Sequence, residues 1–207
     1  MQKHIQWRII VLWTISLLLT GCASSTVIMI NQEKYSPSFS SGDYSRYKGK
    51  KLFLSDFVNQ AKNTKTYNYF SPDKKLAYEG NATLENLYWR CFQKSFRHIG
   101  VNLVDYRYDR SQPTSHDWWG KAPNRAGSQA SHSIPEFQLT LLAMTDQELK
   151  FKVIILRGGE SNFDKDYTVS MAAATTDDVA ELEKRGYQLV ELAFTTILND
   201  RDFQKVF

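Results

Sequence analysis

The chain has 207 residues, 42% of them hydrophobic and 23% charged, with 26 basic against 22 acidic side chains. That length suits one domain with a real core and leaves little room for a second. The basic residues are interspersed with acidic ones and form no long run, which excludes the footprint of a protein that tracks a phosphate backbone.

Lys3 and Arg8 precede an apolar stretch from Ile9 to Leu19, which is short for a bilayer span and has the form of an export signal. It ends in Leu19-Thr20-Gly21-Cys22, a cysteine behind two small residues, which is the pattern of a bacterial lipobox. In that pattern the Cys22 thiol takes a diacylglyceryl group, cleavage falls before it, and the new amino terminus is acylated. One acyl chain gives marginal membrane binding, whereas several hold a protein more or less permanently. The other readings are an ordinary cleaved signal with a chance cysteine, or an uncleaved transmembrane helix. Aspartate directly after such a cysteine favours inner-membrane retention. This chain has Ala23, so the expected location is the periplasmic face of the outer membrane. Removing residues 1–21 takes Lys3 and Arg8 with them and leaves 24 basic against 22 acidic side chains. With a net charge of only +2, attachment rests on lipid rather than on charge.

Residues 22–49 read as a lipid-anchored tether with one strand candidate at Thr26 to Ile30, and 50–207 as a single α+β domain. Leu52, Phe53, Leu54 and Phe57 crowd the segment Lys51 to Val58, which suits a strand buried on both faces. Tyr67, Tyr69 and Phe70, the turn Ser71-Pro72-Asp73, and Leu76 to Tyr78 form a hairpin pattern. Asn81 or Thr83 then caps a helix to about His98. Its Leu84, Leu87, Tyr88, Cys91, Phe92, Phe96 and Ile99 share one face, and Gly100 is its stop. Glu85, Asn86, Arg90, Gln93, Lys94 and Arg97 take the opposite side. Val101 to Asp105 reads as a strand.

A long loop follows over 106–134, with few aliphatic residues and the adjacent pair Trp118-Trp119. Loops of that length are usually functional or disordered. The tryptophans suit three roles: pinning the loop to the core, docking a protein partner, or resting at a membrane. Alternation at Phe137 to Ala143, Leu149 to Ile155 and Tyr167 to Met171 predicts an antiparallel meander, with turns at Thr145 to Glu148 and Arg157-Gly158-Gly159-Glu160. Thr176 caps a final helix to about Leu198. Its stripe is Val179, Leu182, Leu189, Val190, Ala193 and Ile197, with Gly186 on the same stripe where a close approach to the sheet would require it. The two helices need a sheet to cover. The expected fold is a two-layer α+β sandwich, a mostly antiparallel sheet covered by two helices.

The lipobox at Cys22, the early strand Lys51 to Val58, the tyrosine-rich stretch leading into the amphipathic helix, the meander Phe137 to Met171 and the closing helix together resemble the ABC-type transport auxiliary lipoproteins, which include the PqiC-like lipoproteins. The resemblance rests on element order and texture and carries no sharp motif. It implies an outer-membrane lipoprotein that serves a phospholipid-trafficking system with MCE-domain proteins, and that assembles into a homo-oligomeric ring.

The residues point to no catalytic site. Ser115-His116-Asp117 has the residue types of a hydrolase triad, but neighbours in sequence do not point at one another. His116 and His132 lie sixteen positions apart in the loop without metal-ligand spacing, and His98 suits the negative end of its helix. Cys91 falls on a helix's apolar face and reads as a small buried hydrophobe. The expectation is therefore a non-enzymatic accessory subunit with no cofactor and no metal. Its site residues are Cys22 for lipid attachment and Trp118 and Trp119 for contact with other envelope proteins or with the membrane. Two alternatives are a pilotin-like or scaffold lipoprotein of a secretion or surface-structure apparatus, and a periplasmic lipid carrier with an apolar cavity.

Overall fold

A computed structural model describes residues 25–104 and 134–207. In chain order they form β1 (Thr26–Ile30), a 3-10 segment (Ser41–Tyr47), β2 (Lys51–Asn59), β3 (Asn68–Phe70), β4 (Leu76–Gly80), α1 (Leu84–His98) and β5 (Asn102–Leu103). β6 (Glu136–Met144), β7 (Glu148–Arg157), β8 (Glu160–Ser170), α2 (Val179–Asn199) and α3 (Arg201–Val206) follow. The architecture is the expected α+β sandwich, with the strands divided between two mixed sheets. One has the order β5-β2-β6-β7-β8, the other β1-β4-β3. The meander β6-β7-β8 is antiparallel, but β2 pairs in parallel with both β5 and β6, and β1 pairs in parallel with β4. Parallel neighbours need a long crossover. Here β3, β4 and α1 supply it between β2 and β5.

Helix α1 forms where its apolar residues recur at helical spacing: Leu84, Leu87, Tyr88, Cys91, Phe92 and Phe96 are all buried. It stops at Gly100, whose φ of 79° lets its N–H reach the Arg97 carbonyl while the Val101 N–H reaches that of Phe96. This is the paired closure that a left-handed residue after a helix permits. Phe96 sits at the centre of the core, 4.8 Å from the Phe194 ring and 5.5 Å from that of Phe137. These rings join α1, α2 and β6. The meander hairpin turns on Gly158 and Gly159, at φ 64° and 85°, the two positive values that a two-residue connection of this hand demands.

Three local expectations are corrected. The α2 cap is Asp178, which accepts from the Ala180 N–H at 2.9 Å; Thr176 instead accepts from the Asp178 N–H. The helix therefore starts later, and Val179 lies half exposed off the buried stripe. Gln93, assigned to the solvent side of α1, is buried, and its Oε1 accepts from Arg90 Nη1 at 3.3 Å.

Residues 26–47, expected as a tether, are packed into the fold. Ile28, Ile30, Tyr35, Tyr44 and Tyr47 belong to the same apolar cluster as the helices and sheets, so the folded domain begins at β1 rather than at residue 50. The segment after β1 is bound as a strap across the helices. Lys94 donates to the carbonyls of Gln32, Glu33 and Tyr35 at 3.0, 2.8 and 3.0 Å. Tyr35 Oη lies 2.7 Å from Ser95 Oγ, and the Ser38 N–H donates to Glu191 at 2.6 Å. Tyr47 Oη donates to the Leu198 carbonyl at 2.7 Å. A polar, tyrosine-rich stretch reads as linker by composition. Here Tyr35 and Tyr47 bury their rings and spend their hydroxyls on α1 and α2.

Candidate functional site

Cys22, Trp118 and Trp119 lie outside the described residues, as do His116 and His132. The structure does place the strand that leads from Cys22. β1 enters the fold at Thr26, whose N–H donates to the Lys75 carbonyl at 2.8 Å, and it leaves at Ile30, whose carbonyl accepts from the Asn81 N–H at 3.0 Å. Ile28 and Ile30 point inward against α2. At Gly186 a Cβ would lie 2.7 Å from Ile30 Cδ1 and 3.0 Å from Tyr69 Oη. The glycine thus permits the close approach that its position on the stripe suggested, and the partner is the three-stranded sheet. Tyr187 completes the junction. Its hydroxyl accepts from the Asn31 N–H at 3.0 Å and lies 2.9 Å from the Asn31 carbonyl and 2.8 Å from Glu183 Oε1.

A buried polar node sits where the small sheet, the β6–β7 turn and α2 meet. Tyr69 and Tyr78 stack with centroids 4.8 Å apart, 7° from parallel. Asp146 in the turn and Tyr78 are almost fully buried. Asp146 Oδ1, Tyr78 Oη and Arg185 Nε have no hydrogen-bond partner among the described residues. Burial pushes the Asp146 carboxyl above its ordinary value, against the lowering influence of Arg185. Burial also pushes the Tyr78 phenol up to about 12. Arg185 is fixed at its far end, where Nη2 donates to the Ala172 carbonyl. The node thus brings a carboxyl, a phenol and a half-buried guanidinium together where these elements meet, each with a polar atom left unpartnered among the described residues.

A second node lies at the α2–α3 junction. Asp200 accepts from Lys165 at 2.6 Å, from Tyr167 Oη at 2.8 Å and from the Asp202 N–H at 2.8 Å. Burial alone would raise this carboxyl, but the combined donors bring it down to about 2. Neither node was visible in the sequence, because each joins residues from distant segments. A signal for α3 was present in Asn199-Asp200-Arg201-Asp202, a cap residue followed by an acidic first turn.

Cys91 is buried and unpaired, and burial raises its thiol well above the ordinary range, which makes it inert packing. His98 Nε2 lies 2.9 Å from the Phe39 carbonyl, so this imidazole holds the strap. Among the described residues no group of three His, Cys, Asp or Glu side chains is arranged to hold a metal ion, and no helix is long and apolar enough to cross a membrane.

No family model and no curated protein matches the chain. Among solved structures the fold is similar to that of protein XCC0632 from Xanthomonas campestris, described as DUF330, at 9% identity and a TM-score of 0.49. That likeness covers 88% of this chain and 97% of the other.

Proposed function

We propose that the protein is a bacterial envelope lipoprotein, held by acylated Cys22 at the periplasmic face of the outer membrane. It acts as a non-enzymatic accessory subunit of a transenvelope phospholipid transport system. The observation that carries the reading is Leu19-Thr20-Gly21-Cys22 at the end of a basic and then apolar leader. The transport role is supported by the element order that resembles the auxiliary lipoproteins. Between the helices and the five-stranded sheet lie Phe92, Phe96, Phe137, Phe151, Phe194 and Phe203, all fully buried. An interior filled by the chain's own rings favours docking over carriage of acyl chains.

Two measurements test this. Intact mass of protein extracted from membranes is expected to exceed that of the polypeptide starting at Cys22 by three acyl chains and a glyceryl group; a bare thiol there removes the anchor. Recovery from detergent-solubilised membranes followed by mass spectrometry is expected to bring down MCE-domain proteins. Components of a secretion apparatus in their place would overturn the transport role.

A further inference from the structure

The three-stranded sheet buries one face against α2; among the described residues no helix or sheet is packed on the other, the open face. The register puts Val27 and Phe70 on either side of the buried Ala77 in one row of the open face, and Met29, Glu79 and Asn68 in the next. Val27 is 49% exposed and Met29 54%, two of the few large apolar side chains so exposed among the described residues. Phe70 is half-buried in the same row. Basic groups surround this apolar centre. The Lys65 ammonium lies 5.6 Å from the Phe70 ring centroid. Lys74 and Lys75 form the β3–β4 turn beside Thr26, where the chain arrives from Cys22. Of the acidic groups nearby, Glu79 accepts from Asn68 Nδ2 at 3.2 Å and Asp73 is paired with Lys75 at 3.3 Å.

Distance restricts what this face meets. Whatever path residues 22–26 follow, four peptide units reach at most about 14 Å. If Cys22 is acylated, Thr26 and the Lys74-Lys75 turn are held within that reach of the lipid headgroups. Apolar side chains ringed by lysines are the chemistry of a surface seated at an anionic bilayer interface.

We propose that the open face of the three-stranded sheet, with Val27, Met29 and Phe70 at its centre and Lys65, Lys74 and Lys75 around it, rests on the bilayer that holds Cys22. The anchored domain is thereby fixed in one orientation, with the exposed side of α2 turned away from the membrane. This rests on the acylation of Cys22 proposed above.

The test uses the acylated full-length protein in vesicles of phosphatidylethanolamine and phosphatidylglycerol. Met29→Cys, Lys74→Cys and Gln188→Cys, the last on the exposed side of α2 opposite Gly186, each carry an environment-sensitive fluorophore, and quenchers are placed either in water or on shallow lipid positions. The expected result is severalfold stronger lipid quenching at positions 29 and 74 than at 188, with the reverse order for the aqueous quencher. Replacing phosphatidylglycerol by phosphatidylcholine is expected to weaken the lipid quenching at 29. Lipid quenching at 74 alone, with 29 open to water, means a domain standing upright on its turn and overturns the proposal. Shielding of 29 from both quenchers means that a second copy covers the face and overturns it too. Intact mass of the same samples separates these failures from that of the anchor: a bare Cys22 removes both, whereas acylated Cys22 with a water-exposed position 29 removes only the seated face.

Discussion

Both sheets pack against α2, yet their outer faces differ in chemistry. The five-stranded sheet turns outward a charged ladder in which Lys152 meets Asp164 at 3.0 Å and Asp166 at 3.9 Å. The three-stranded sheet turns outward Val27 and Met29. Long edge strands are commonly protected by charge, and β8 carries Asp164, Lys165 and Asp166 along its length. β1, also an edge, carries no charge at all. The contrast teaches that inner faces set the fold while outer faces record the surroundings: water for one sheet, a less polar neighbour for the other.

Removing the shared support has the largest effect. Phe96→Ala deletes the ring common to α1, α2 and β6, and is expected to cost about 4 kcal/mol in urea unfolding, loosening both sheets together. Gly186→Leu separates them. Its side chain collides with Ile30 and Tyr69, and a loss of about 3 kcal/mol is expected, with amide exchange rising first in β1, β3 and β4. If exchange rises equally in the meander, the small sheet is not an independent layer.

Asp200→Asn touches only the side of the large sheet. Because the folded carboxyl titrates at about 2 rather than at 3.8, its contribution is complete above the higher value and is lost as pH falls through the lower one. The native protein is expected to lose about 2 kcal/mol over that window, and the variant to lack that component, as read by thermal midpoints from pH 5 to pH 2. Lys152→Ala has the smallest expected effect, under about 0.5 kcal/mol, since exposed ion pairs contribute little. A greater loss would mean that the charged ladder supports the fold rather than its solubility.

Elements governed by local periodicity were legible in the sequence. The α1 stripe, the β3–β4 hairpin and the meander lie where apolar spacing puts them, because each buries one face and alternates accordingly. The division into two sheets was not legible, since β1 and β4 are joined across a gap in sequence that no pattern marks. The strap was hidden for a related reason. Its apolar content is tyrosine, and its partners, Lys94, Ser95 and Glu191, look like solvent-facing helix residues until the segment that covers them is in place. Of the candidate site, the chemistry of Cys22 is written locally, whereas the nodes at Asp146 and Asp200 depend on tertiary proximity alone.

The parallel pairing of β1 with β4 has a mechanical consequence. If Cys22 is acylated, a pull directed along the β1 axis loads the rungs from Thr26–Lys75 to Ile30–Asn81 together in shear instead of opening them one after another. Ile30, seated at Gly186, would have to leave its place against α2 before the strand could be drawn out. An anchored domain attached in this way resists extraction at the point where traction from the envelope is applied.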